Sequence, residues 1–315
     1  MPIRHGRNTQ LLLQRETTFR TPPATPAAYR MKWSELEFGR DPQRQEDPTI
    51  QNTPLAVKKD PGDEIFGGSL KAILCLNDIG QWFTLLWGTP VTTGIGPYTH
   101  TWTLSLAARP SALLELGYLT ASKYPQWLGV MLNTLSWDIK EADQSISMEF
   151  MAGEEVVPEP TAPFDAAPTS YAKNRACAKG GEIYDVQGAS TLGRISKASV
   201  KISNDLEGQN VADGKDGYGE ILLGQPSIEG SVTVLFDDGT NIFDHARDHA
   251  SKPMTLISRN ADDSARLQLN LPAVEFDEAK HKIATSKGLL VDTNWRAHAD
   301  ATAPTLVLTN GISSY

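Results

Sequence analysis

The residues whose types and spacing come closest to chemistry are Asp244, His245, Asp248 and His249, in the stretch FDHARDHA. Histidines at i and i+4 fall on one helix face, as in zinc-binding helices, and the aspartates add oxygen ligands. A metalloprotease helix also needs a glutamate in the pattern, and none occupies that place; no third ligand is apparent. A solvated helix face accounts for the same letters. The acidic pairs Asp237-Asp238 and Asp262-Asp263 are of the kind glycosidases and metal sites use, but both fall where turns belong. Gly214, Gly217 and Gly219 imitate a phosphate loop without the following Ser- or Thr-bearing helix, and read as a hairpin. No G-x-S-x-G elbow, P-loop or G-x-G-x-x-G occurs. Of the seven tryptophans, Trp102 and Trp137 sit on apolar strand faces and Trp82 and Trp87 on an apolar helix face. Core packing explains them better than sugar stacking. The expectation is a chain that is not an enzyme, with no catalytic, cofactor or metal residues.

The elements around these residues say more. Gly67–Gly88 (GGSLKAILCLNDIGQWFTLLWG) reads as a strand, then an Asn77-Asp78 cap, then a helix with apolar residues at 79, 82, 83, 86 and 87, closed by Gly88. A second strand–turn–helix unit runs from Glu229 to Ala250, with Gly230-Ser231 answering Gly68-Ser69. Period-two alternation marks strands at 102–106, 114–118, 135–139 and 146–150. It recurs at 200–202, 232–236, 265–271, 289–295 and 306–308. Trp33 and Val200 look like corresponding first-strand positions. Long polar loops are expected over Gly39–Glu64 and Asn204–Gly219.

These segments predict a mainly β chain of two duplicated β-sandwich or barrel domains, each with one flanking α-helix. The expected divisions are an extended N-terminal arm at 1–30, a first β domain at 31–155, a Pro-rich linker at 156–175 and a second β domain at 176–315.

The 315 residues carry a net charge of −9, and the first thirty hold five Arg and one Glu, leaving about −13 on the rest. An acidic body argues against gripping a phosphate backbone. The basic arm suits either nucleic acid or, as the preferred reading, the acidic face of a neighbouring copy. No apolar run is long enough to span a membrane. Two cysteines, Cys75 and Cys177, fit a reducing compartment without a disulfide framework, Cys75 as a small buried hydrophobe.

Several stretches in order carry a resemblance. They are RETTFRTP (Arg15–Pro22), the Gly67–Gly88 unit, HTWTL with RPSALLELGY (His100–Tyr118), and LGVMLNTLSWDIKEADQSISMEFMAGE (Leu128–Glu154). In the second half come VKISNDLEGQ (Val200–Gln209), IEGSVTVLF (Ile228–Phe236), LQLNLPAVEF (Leu267–Phe276) and TLVLTNG (Thr305–Gly311). Together they resemble the phage tail tube protein family in its long, two-domain siphophage form. One departure is Arg20, where related sequences often have Gly.

The resemblance implies a structural virion protein, assembled in the host cytoplasm, whose copies join edge to edge into rings around an inner β-barrel. The rings stack into a tube for DNA ejection. Two tube-like domains per chain imply a trimeric, pseudo-hexameric ring, against a hexameric one for a single domain. Implied partners are other copies, a tape measure protein in the lumen before ejection, and terminator and baseplate or tail-tip proteins at the ends. DNA passes transiently and no membrane is involved. The long loops and the basic arm are then expected at ring-to-ring contacts. The alternatives are a tail terminator or head–tail connector ring, and a carbohydrate-binding β-sandwich module.

Overall fold

A computed structural model describes residues 6–46, 49, 54–55, 58–139, 144–177, 181–186, 190–191, 194–212, 214–235, 251–277 and 290–315. The first half contributes β1 (Thr9–Arg15), β2 (Tyr29–Met31), β3 (Glu35–Gln45), β4 (Asp60–Ile73), α1 (Ile79–Trp87) and β5 (Val91–Thr93). It continues with β6 (Tyr98–Thr103), β7 (Ala112–Tyr118), β8 (Gln126–Ile139), β9 (Gln144–Ala152) and β10 (Glu154–Glu155). The second half has β11 (Glu182–Val186), β12 (Ser190–Thr191), β13 (Arg194–Ser203), β14 (Leu206–Gln209) and β15 (Glu220–Leu223). It ends with β16 (Ser227–Leu235), β17 (Lys252–Arg259), β18 (Arg266–Phe276), β19 (Leu290–Ala297) and β20 (Thr305–Asn310).

Among the described residues every strand–strand ladder is antiparallel, and the strands build a two-layered architecture. One layer is a continuous sheet in the order β3-β4-β9-β8-β13-β16-β19-β18. Its first four strands come from the first half of the chain and its last four from the second, and the halves meet at the β8–β13 ladder. The two groups are built alike: a hairpin (β3-β4, β13-β16) flanks a later strand (β9, β19) that pairs back onto it. The second layer forms because β8 and β18 bend out of the first. The start of β8 pairs β7, which carries β1 and then β2. The start of β18 lies between β17 and β20, and β20 carries β6 and β5.

Alternation puts Leu36, Leu70, Met148, Leu135, Ile202 and Ile228 in one inward row across six strands. That row closes on α1, where Trp82 packs against Phe150 at 5.5 Å. All nine residues of α1 are buried, so the helix is enclosed rather than laid on a surface. Its polar members are satisfied inside: Gln81 Nε2 donates to the Tyr171 hydroxyl at 3.0 Å, and Thr84 Oγ1 to the Gly80 carbonyl at 2.8 Å. Gly88, at φ 97°, ends the helix as expected, at a positive φ that glycine adopts at least cost, its N–H bonding the Thr84 carbonyl. The predicted Asp78 cap is corrected. Its carboxylate makes no capping bond, because Lys32 Nζ takes both oxygens at 2.8–2.9 Å. Tyr315 seals the start of α1, its ring 2.5 Å from where a Cβ on Gly80 would stand. Gly80→Ala is therefore expected to destabilise the chain by about 1–3 kcal/mol through overpacking; urea unfolding would read this directly.

Other expectations also differ from what is found. Residues 9–15 are no free arm: Leu11, Leu12 and Leu13 are fully buried, and β1 is hydrogen-bonded between β2 and β7. The apolar triplet outweighs the basic flanks because burying each leucine is worth about 2 kcal/mol. Gly39–Glu64 is not simply a loop, since its ends belong to the β3-β4 hairpin. The alternation through Leu104 and Leu106 stops at Thr103, and Leu106 is exposed. The linker 156–175 crosses the outside of the first half, bonding β8 (Val156 N–H to Gln126), β2 (Arg30 N–H to Thr169) and Leu76 (N–H to Asn174). The second predicted helix, with Asp237, Asp238, Asp244, His245, Asp248 and His249, lies outside the described residues.

Candidate assembly surfaces

β3 is an edge: among the described residues it pairs β4 on one side and nothing on the other. The direction of its free groups can be read from Gly68, where a Cβ would lie 2.1 Å from the Glu37 carbonyl oxygen. Glu37 thus faces β4, and the alternate residues Leu36, Phe38 and Arg40 turn their N–H and C=O outward. Pro42 shares that outward parity, so its missing N–H costs the β3-β4 ladder nothing, the usual place for proline in an edge strand. The same reading in the second half gives a paired answer. A Cβ on Gly230 would lie 2.1 Å from the Ser199 carbonyl oxygen, and Ala198, Val200 and Ile202 turn toward β8, opposite Ile139, Trp137 and Leu135.

Phe38 pairs Gly68 as Val200 pairs Gly230, so Phe38, not Trp33, is the counterpart of Val200. β3 is the same strand as β13 with its partner removed.

The outward face of the eight-strand sheet is polar along its whole width. One row runs Glu35, Lys71, Ser147, Ser136, Lys201, Glu229, Arg296, Glu275 in continuous register. Lys71 bonds Glu35, with Nζ 2.6 Å from Oε2, and Lys201 and Arg296 each stand opposite Glu229. Cross-strand neighbours of opposite sign attract, so each of these cations already has an acid beside it.

β3 and β13 run the same way, so both hairpins leave the sheet at one end of the chain. The excursion after β13 is expected as a polar loop. It holds the small β14-β15 sheet, pinned by Arg20. Arg20 Nη2 bonds Glu154 Oε2 at 2.6 Å and the Asp216 carbonyl at 3.2 Å, and Nη1 bonds the Tyr218 carbonyl at 3.2 Å. Arg20 has φ 57°, a conformation glycine takes at less cost. The guanidinium bonds offset what that conformation costs the arginine. Gly217, also at positive φ, packs on Phe66 and Gly153 in the same knot.

Several buried polar residues that the alternation patterns did not single out tie the layers together. Asn204 donates to the carbonyls of Leu86 (3.0 Å) and Leu132 (2.9 Å) and accepts from Arg109 Nε (3.2 Å). Gln144 accepts from Trp137 Nε1 and Ser258 Oγ and donates to the Cys177 carbonyl. Asn310 joins Leu76 to the Tyr315 hydroxyl. The one signal for them is a lone Asn or Gln at the end of a strand pattern, which sequence cannot separate from turn use.

Two buried carboxylates stand beside this frame. Glu16 accepts from Ser111 Oγ and Gly129 N–H. Glu115 accepts from Gln126 Nε2 and Phe164 N–H, both at 2.7 Å, while its Oε1 has no partner among the described residues. Burial raises both above the usual carboxylate value, since the charged form loses its water. A carboxyl raised in the fold binds its proton more tightly there. Its stability contribution is complete below the unfolded value of about 4.3 and is lost as pH rises through the folded one. Glu115→Gln is accordingly expected to flatten the decline in stability between acid and neutral pH and to leave the neutral protein at least as stable. Denaturation midpoints across that window test it, and an unchanged slope would reject Glu115 as a source.

Of the residues considered for chemistry, Asp262 makes a turn, its Oδ1 accepting from Ser264 N–H and Oγ. Six tryptophans, Trp82, Trp87, Trp102, Trp127, Trp137 and Trp295, are buried in the core. Among the described residues no group of three His, Cys, Asp or Glu is placed to hold a metal, and no helix is long and apolar enough to cross a membrane. Against known proteins, no curated protein matches the chain. The family model for phage tail tube protein matches residues 6–297, nearly everything from β1 through β19. With that match over an antiparallel β architecture that ends in an open edge strand, the chain belongs to the phage tail tube protein family, the structural proteins of the virion tail.

Proposed function

We propose that this chain is the major tail tube subunit, that three copies close a ring through their eight-strand sheets, and that stacked rings enclose the channel for DNA. The observation that carries the proposal is the β8–β13 ladder, an edge-to-edge junction of two like four-strand units inside one chain. Residues 31–155 and 176–315 supply one unit each, across the 156–175 linker. β3, the partnerless counterpart of β13, repeats that junction against the β18 margin of the next copy. Closure removes the exposed edges that otherwise invite uncontrolled pairing.

Three copies bring roughly 24 strands, which at about 4.8 Å spacing and ordinary tilt make a barrel about 45 Å across; six copies would make one about twice as wide. The polar outward face lines the channel, and its paired cations leave DNA phosphates little to hold. A tape measure protein fills the channel before ejection, and terminator and tail-tip proteins close its ends, after assembly in the host cytoplasm. Electron microscopy of the concentrated protein is the test. Hollow tubes with three chains per ring are expected; rings that never stack would favour a terminator or connector, and a barrel about 90 Å wide would reject the threefold ring.

A further inference from the structure

Beside the C-terminal end of α1, at the end of the chain where both hairpins leave the sheet, lies a cleft of about 520 Å³. Its wall includes Trp87, Val91, Thr103, Ser105 and Arg109. Arg109 is 6% exposed, and among the described residues no acidic one pairs with it. Nε donates to Asn204 Oδ1 at 3.2 Å and Nη1 to the Ala107 carbonyl at 3.1 Å, while Nη2 has no acceptor among the described residues. Trp87 Nε1, in the same wall, has none either. The carbonyl end of α1 offsets part of the charge, but a buried cation without a counter-ion remains costly. Two orphaned donors in one wall point to a missing acceptor, which must part the wall to reach them because both atoms are closed to water in the free chain. Val91, 69% exposed, and Leu106, 86% exposed, flank the opening with apolar surface.

The opposite end of the chain carries the complement. The turn between β17 and β18 exposes Asp262 and Asp263, and Asn260 Nδ2 anchors it to Asn174 Oδ1 at 2.8 Å, near the start of α1. Two different surfaces at opposite ends make a head-to-tail contact, the kind that propagates instead of closing. An acidic chain also supplies such a carboxylate with every added copy.

Resting on the tube reading above, we propose that the Asp262-Asp263 turn of one copy enters the Arg109 cleft of a copy in the next ring, its carboxylate accepting from Arg109. The site is thus a carboxylate receptor completed by a second copy of this chain, and it fixes the direction of stacking.

Ser105→Cys combined with Ala261→Cys in a Cys177→Ser background tests this, since the native Cys177 lies beside the turn, the two exposed positions lie at opposite ends of one chain, and a short bis-maleimide bridges them only between copies. Tubes of the double variant should give a ladder of covalent multimers on a denaturing gel, and neither single variant should. Tubes of normal yield without a ladder would overturn the contact. As a second measure, Asp262→Asn with Asp263→Asn removes both charges but keeps an acceptor for Ser264 and a side chain that tolerates the positive φ at 263. It should leave the melting temperature unchanged, leave rings intact and shorten tubes at least tenfold, and tubes of ordinary length would again overturn it. A wild-type chain that forms no tubes defeats the tube reading and this contact together, and the wild-type control tells that case from failure of the variants alone.

Discussion

Arg40→Pro is expected to leave a folded chain that no longer forms tubes. Arg40 lies on the outward parity of β3, two residues beyond Phe38, and its equivalent in the second half, Ile202, pairs with Leu135 across the internal junction. Proline there removes an outward N–H and thrusts its ring toward the arriving strand. The β3-β4 ladder loses no bond, and the chain already holds Pro42 on the same side. The lost Arg40–Glu64 ion pair is a surface contact at 3.2 Å, so the cost to the isolated chain is about 1 kcal/mol or less. The assembly, by contrast, loses the ladder at every ring joint. Circular dichroism should be unchanged, and light scattering and microscopy should show monomers. Tubes at wild-type yield would mean that β3 is not the joining edge.

Asn204→Ala is expected to be the most damaging single change to the chain itself, by about 3–5 kcal/mol. The side chain is fully buried and all its hydrogen-bonding capacity facing the core is used. Removing it strands the Leu86 carbonyl at the end of α1, the Leu132 carbonyl in β8 and the Nε of a buried arginine. Each such group costs about 1–3 kcal/mol when left unpaired out of reach of water. A drop of about 5–8 °C in the melting temperature follows for a chain of this size. Asn204→Asp is a sharper probe: it keeps the acceptor for Arg109 but loses both donors, so it should recover only part of the loss. A loss below about 1 kcal/mol for the alanine variant would mean that water replaces the amide and that Asn204 does not join the layers.

How much of this was legible beforehand follows from which physical signal each part uses. Period-two alternation over 135–139, 146–150 and 265–271 depends on one face being buried and the other wet, a local pattern, and those segments are strands. Gly88 marked the end of α1 because a residue at positive φ is needed there. The Gly68/Gly230 correspondence likewise was visible because both glycines solve one local problem, the close approach of a neighbouring carbonyl.

Leu11–Leu13 misled, since a short apolar run between basic residues carries no period, and only its partners β2 and β7 make it a core strand. Phe38 could not be matched to Val200 until the ladders fixed the register. The sequence by itself determined a mainly β, duplicated and acidic chain without a catalytic signature, because composition and alternation are sums over neighbours along the chain. Only the tertiary structure decided which strand lacks a partner, which polar face stays open and which buried donors lack acceptors, because each is a relation between residues up to about two hundred positions apart, which no local pattern records.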